Sequence, residues 1–111
     1  MIKDYKFKLN TGDEYETAVE AKITGKLKVI LANVNRANYS LCVFIKESGL
    51  AILNETNVPH SNIYVPVCVN YYNSSTDSYD SKGDWVLNDI VLIKLHGVKK
   101  LIGEVIMRVD E

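Results

Sequence analysis

The sequence predicts an all-β fold, a two-sheet antiparallel β-sandwich of jelly-roll or immunoglobulin-like type with about eight strands. Three observations carry that prediction. Valine, isoleucine and threonine total 28 residues against five alanines, and branched side chains favour extended backbone. Apolar residues recur with period two in almost every apolar stretch, the spacing of a strand with one buried face. Asn, Ser, Gly and Asp punctuate these stretches, and no helical stripe of ten residues interrupts them. A small closed barrel is the second architecture compatible with the pattern.

The elements follow in chain order. Tyr5, Phe7 and Leu9 alternate with Lys6 and Lys8, and Thr11-Gly12-Asp13 turns the chain. Tyr15, Thr17, Val19, Ala21 and Ile23 line one side of a longer strand. Gly25-Lys26 reads as a short hairpin, after which Leu27, Val29 and Leu31 form an inward face with Ile30 opposite. Residues 33–38 are polar enough for a loop. Leu41, Val43 and Ile45 share a strand with Cys42 and Phe44, so both faces are apolar and the strand is central or covered. Glu47-Ser48-Gly49 turns it into residues 50–53, and pairing of 39–46 with 50–54 is the firmest local expectation.

Residues 54–62 read as a loop and 63–69 as a strand. Pro66 has no N–H to give a ladder, which assigns that strand to an edge or a bulge. Residues 70–83 lack an apolar stripe and read as a long loop. Residues 85–87 and 90–95 resume extended chain, with a bend at Leu87-Asn88-Asp89. His96-Gly97-Val98-Lys99-Lys100 turns into a closing strand from Leu101 to Val109, where Gly103 marks a bulge or a close approach.

Composition narrows function. The chain of 111 residues forms one domain spanning 1–111, too short for a doubly wound dinucleotide fold or a barrel enzyme. Thirteen basic residues meet fourteen acidic ones for a net charge of -1, with neither sign in blocks. Nothing in that balance favours a nucleic-acid backbone, while low self-repulsion suits a homo-oligomer or symmetric array. No apolar run is long enough for a membrane span, and the start at Met1-Ile2-Lys3-Asp4 has no signal-peptide core. The expected setting is therefore cytosolic. Cys42 and Cys68 are expected to be buried free thiols.

Catalytic and metal-binding sets do not assemble from the sequence. His60 and His96 lie 36 residues apart in turns, Ser48 sits in a hairpin without a nucleophile elbow, and no glycine loop cradles phosphate. Asp77, Asp80 and Asp84 lack the spacing of a calcium loop and read as a solvated acidic stretch, with a structural cation as the alternative. The reading is non-enzymatic, with no catalytic residues, no cofactor and no metal. Three Asn-x-Ser/Thr matches, at Asn38, Asn54 and Asn73, are expected by chance in so Asn-rich a chain.

Aromatic residues are the more informative feature. Tyr71, Tyr72, Tyr79 and Trp85 fall within fifteen residues amid Asn, Ser and Asp, and aromatics carry much of the energy of protein interfaces. With Tyr64 and Pro66 they form the expected partner-binding set. The alternatives are packing at the end of the fold and, as a carbohydrate-binding module, stacking of the 70–85 aromatics on sugar rings.

Residues 24–30, then 39–45 ahead of 50–53, form one half of a familiar outline. Tyr64-Val65-Pro66, a polar loop, residues 87–93 and an amphipathic closing strand form the other. This organisation resembles small β-sandwich structural and accessory proteins of tailed-phage virions. The resemblance implies a subunit that docks onto a larger assembly, as capsid decoration, head-completion or tail accessory protein. It further implies other virion proteins as partners and a place in the virion after assembly in the host cytoplasm.

Overall fold

Extended chain dominates, as the branched residues require, but it is arranged differently from a sandwich. The computed structural model describes residues 1–66, 68–73, 78–83 and 85–111, with side-chain surroundings given for 1–66 and 85–111. The described residues form nine strands: β1 (Ile2–Asn10), β2 (Glu16–Val34), β3 (Tyr39–Ile45), β4 (Ala51–Val58), β5 (Ser61–Tyr64), β6 (Cys68–Asn73), β7 (Ser78–Gly83), β8 (Trp85–His96) and β9 (Ile102–Asp110). Seven belong to a single antiparallel sheet in the order β1-β9-β2-β8-β3-β4, with β5 also paired to β2, while β6 and β7 pair only with each other. The expected sandwich of eight strands is thus replaced by one open seven-stranded sheet and a two-stranded hairpin, and the barrel alternative falls with it.

The difference originates in β2. Gly25-Lys26 was expected to reverse the chain, yet β2 runs straight through it for 19 residues. Gly25 takes φ +131°, a conformation L side chains rarely adopt, and an added Cβ would sit 3.0 Å from the carbonyl oxygen of Asp110. Glycine here permits a close approach within a continuing strand. The first half of β2 pairs with β8 over Glu16 to Leu27. Its second half pairs with β9 on the opposite edge and with β5 beyond the end of β8.

A bulge at Lys28, between the pairs Leu27–Val109 and Val29–Arg108, shifts the alternation by one. Ile23 and Leu27 are buried before it; Ile30, Ala32 and Val34 are buried after it. The expected inward face of Leu27, Val29 and Leu31 is therefore correct only at Leu27. A bulge adds a residue to one strand and flips every later side chain.

One core draws on both halves of the sheet. Phe7, Leu9, Val105, Met107 and Val109 from β1 and β9 join Leu41, Val43, Val91, Ile93 and Leu95 from β3 and β8. Buried Thr11 ties the turn between β1 and β2 to the turn between β8 and β9. Its hydroxyl donates to the Val98 carbonyl at 2.9 Å and accepts from the Leu101 N–H at 2.9 Å.

Several local expectations are also revised. β3 pairs with β4 as anticipated, with Val43 opposite Leu53, but β4 and β5 fill most of the stretch expected to loop over 54–62. The single strand expected over 63–69 is split between β5 and β6. The stretch 70–83 contains β6 and β7 rather than one long loop, and β8 shows no break at Asn88. Cys42 is only half-buried, on the face of β3 opposite the core; the Cys68 side chain lies outside the described residues, as do Asp77 and Asp84 and the side chain of Asp80.

Candidate functional site

The register of four strands builds a surface on the face away from the core. Strict alternation places Lys6 opposite Ile106, Ile106 opposite Leu31, and Leu31 opposite Ile63. Residues directly opposite in a ladder point to the same face, so these four form one row from β1 to β5. Leu31 and Ile106 are half-buried, Ile63 is 64% exposed, and the neighbouring Val65 is 70% exposed. The row is apolar over three of its four positions and opens at the short strand β5.

A polar row borders it on one side, and a row of Asp4, Arg108 and half-buried Val29 on the other. Toward one end, Lys8, Glu104, Asn33 and Ser61 stand in register, and the Ser61 hydroxyl donates to Asn33 Oδ1 at 3.0 Å. Toward the other end, Arg108 pairs with Asp4 through two hydrogen bonds. The arrangement leaves a shallow depression of about 480 Å³ lined by Leu31, Asn33, Asn62, Ile63, Glu104 and Ile106. An apolar centre inside a polar rim is the anatomy of a protein contact.

The sequence-predicted set is distributed otherwise. Tyr64 ends β5 and packs half-buried against the core. Burial, with a smaller contribution from Tyr64 nearby, pushes the Tyr39 phenol up to about 12. Pro66 is buried. Trp85 packs against the core from the start of β8; its buried indole N–H and the buried Tyr39 hydroxyl have no hydrogen-bond partner among the described residues. Pro66 is thus covered, whereas Tyr64 and Trp85 pack against the core and keep part of their surface exposed.

Tyr71, Tyr72 and Tyr79 fall on the β6–β7 hairpin, where the backbone register sets Tyr72 opposite Tyr79 and Tyr71 opposite Ser81. Their side chains lie outside the described residues. Sequence reasoning missed Leu31 as a surface residue, while it set Ile106 with Glu104 and Arg108 on one side of the closing strand and took the 63–69 edge as a contact. Ile63 was placed on an edge through Pro66, but Leu31 was assigned to the core because the bulge at Lys28 leaves no signature in the apolar pattern.

Among the described residues, no group of three or more His, Cys, Asp or Glu could hold a metal ion. His60 and His96 are both exposed, on β5's approach and at the end of β8. No family model, curated protein or solved structure matches this chain.

Proposed function

We propose that this chain is a non-enzymatic structural subunit that docks onto a larger protein assembly, in the manner of the capsid decoration, head-completion and tail accessory proteins of tailed-phage virions that its sequence organisation resembles. The observation that carries the reading is the row Ile106, Leu31 and Ile63, with exposed Val65 following β5, open at the β5 edge and bordered by Lys8, Glu104, Asn33 and Ser61 on one side and the Asp4–Arg108 pair on the other. The occupant is a surface of another protein subunit, with an apolar centre to cover Ile63 and Val65 and a mixed-charge rim to meet Lys8, Glu104 and the Asp4–Arg108 pair. Apolar burial supplies the attraction, and the rim fixes orientation.

The test is sedimentation of the chain alone and with the other structural proteins of its parent particle. A specific complex should form with the wild type and be lost in a folded Ile63→Asp/Val65→Asp variant. A folded double variant that binds as well as wild type overturns this surface. A complex lost instead on replacing Tyr71, Tyr72 and Tyr79 with alanine would transfer docking to the hairpin.

A further inference from the structure

We propose that Asn62 guards the edge of β5 away from β2, which has no strand partner among the described residues, and that once the guard is removed this edge pairs antiparallel with the same edge of a second copy. The argument begins with the phase of the β2–β5 ladder. The N–H of Val34 donates to the His60 carbonyl at 2.9 Å, and the same register continues as Ala32 opposite Asn62 and Ile30 opposite Tyr64. In an antiparallel ladder, alternate pairs exchange the bonds. The main-chain groups of residues 60, 62 and 64 therefore face β2, and those of Ser61 and Ile63 face the open side.

One of those outward groups is already occupied. The N–H of Ile63 donates to Asn62 Oδ1 at 2.8 Å. A side chain on the edge strand thus takes the donor that an incoming strand would use.

The outer strands of the seven-stranded sheet, β1 and β4, are blunted by other means. β1 carries Lys3, Asp4, Lys6 and Lys8, and β4 carries Glu55 and two register shifts against β3. Charges and bulges of this kind deter strand addition. Residues 58–66 contain no Asp, Glu, Lys or Arg, and Ile63 and Val65 are the exposed apolar side chains there. Pro59 and Pro66 bracket the stretch, which leaves Asn62 as the protection within it.

A second copy is the partner that this chemistry fits. Across a two-fold axis each group meets its own kind, so a charged edge would repel itself whereas an uncharged one does not. A net charge of -1 adds little repulsion at longer range. The inference requires no second protein and stands apart from the docking reading above.

Sedimentation velocity over a concentration series tests it with the full chain. Asn62→Val should double in mass relative to wild type, and Asn62→Val/Ile63→Lys, which sets like charges across the axis, should return to the wild-type mass. A folded Asn62→Val of wild-type mass overturns the proposal, as does a doubled mass that persists in the Ile63→Lys background. Should Asn62→Val fail to fold, amide exchange decides. The protection factor of the Ile63 amide should fall about tenfold in Asn62→Ala and be retained in Asn62→Asp, which keeps the acceptor; an unchanged factor in Asn62→Ala overturns the guard.

Discussion

Arg108 meets Asp4 directly across the β1–β9 ladder, its Nε donating to Oδ1 at 2.9 Å and its Nη2 to Oδ2 at 3.1 Å. The bidentate guanidinium holds the Asp4 carboxyl below the usual carboxylate range. A carboxyl whose folded pKa lies below its unfolded value adds stability above the unfolded value and loses it as pH falls through the folded one. Urea midpoints measured from about pH 6 down to about pH 2 should therefore fall less steeply in Asp4→Asn than in wild type. Parallel curves would mean that the pair contributes nothing to acid sensitivity.

Thr11 is buried and spends its hydroxyl on two backbone groups of the turn between β8 and β9. Thr11→Val keeps the shape but orphans the Leu101 N–H and the Val98 carbonyl. The expected loss is about 1–3 kcal/mol in urea unfolding, with faster amide exchange at Leu101. Thr11→Ser, which retains the oxygen, should recover most of the difference.

Gly103 lies between Leu9 and Val34 in the ladder. A Cβ there would stand 2.6 Å from the Asn33 carbonyl oxygen and 2.9 Å from the Val34 Cα. Backbone cannot rotate away as a side-chain tip can, so Gly103→Ala should fall at the upper end of overpacking costs, about 3 kcal/mol. The sign of the damage is local separation of β9 from β2, visible as faster exchange around Asn33 and Glu104.

Cys42 sits opposite Lys94 in the β3–β8 ladder. Burial pushes its thiol upward, while the Lys94 ammonium pulls in the other direction by a smaller amount. Only thiolate alkylates at an appreciable rate. Iodoacetamide at about pH 8 should label the Cys42 peptide more slowly than the same peptide after unfolding in urea. Lys94→Ala should slow it further, and peptide mapping separates this signal from Cys68.

Period two was enough to find strands: Phe7 and Leu9, which alternate with lysines, are buried, as are Val105, Met107 and Val109 of the closing strand, and 41–45 and 90–95 are extended as expected. How those strands join was not legible. Gly25 marks a close approach to Asp110 rather than a reversal, and one glycine reads the same in either role. The apolar run around Val29, Ile30 and Leu31 suits both faces of a strand, so the parity change at Lys28 is invisible without its partner β9. Tyr64 and Trp85 show the same limit for the site: composition identifies an aromatic but not whether the core claims it. Ile63 was placed on an edge because Pro66 constrains hydrogen bonding, a local property that sequence displays directly.

The bulge makes the last prediction. Leu27 pairs with Val109 and Val29 with Arg108, so Lys28 is the additional residue. Deleting Lys28 joins those two pairs into regular alternation and leaves Ile30, Ala32 and Val34 facing the core. Deleting Leu31 instead turns Ala32 and Val34 outward and drives Asn33 inward, where its amide has no prepared partner. Burying an unsatisfied amide costs about 1–3 kcal/mol, and exposing Val34 adds about 1.5 kcal/mol or more. The deletion at Leu31 should therefore lower the urea midpoint well beyond the deletion at Lys28. Equal losses would show that β2 does not use the bulge to set which face its second half presents, and the exposed row of Leu31 and Ile63 would then need another origin.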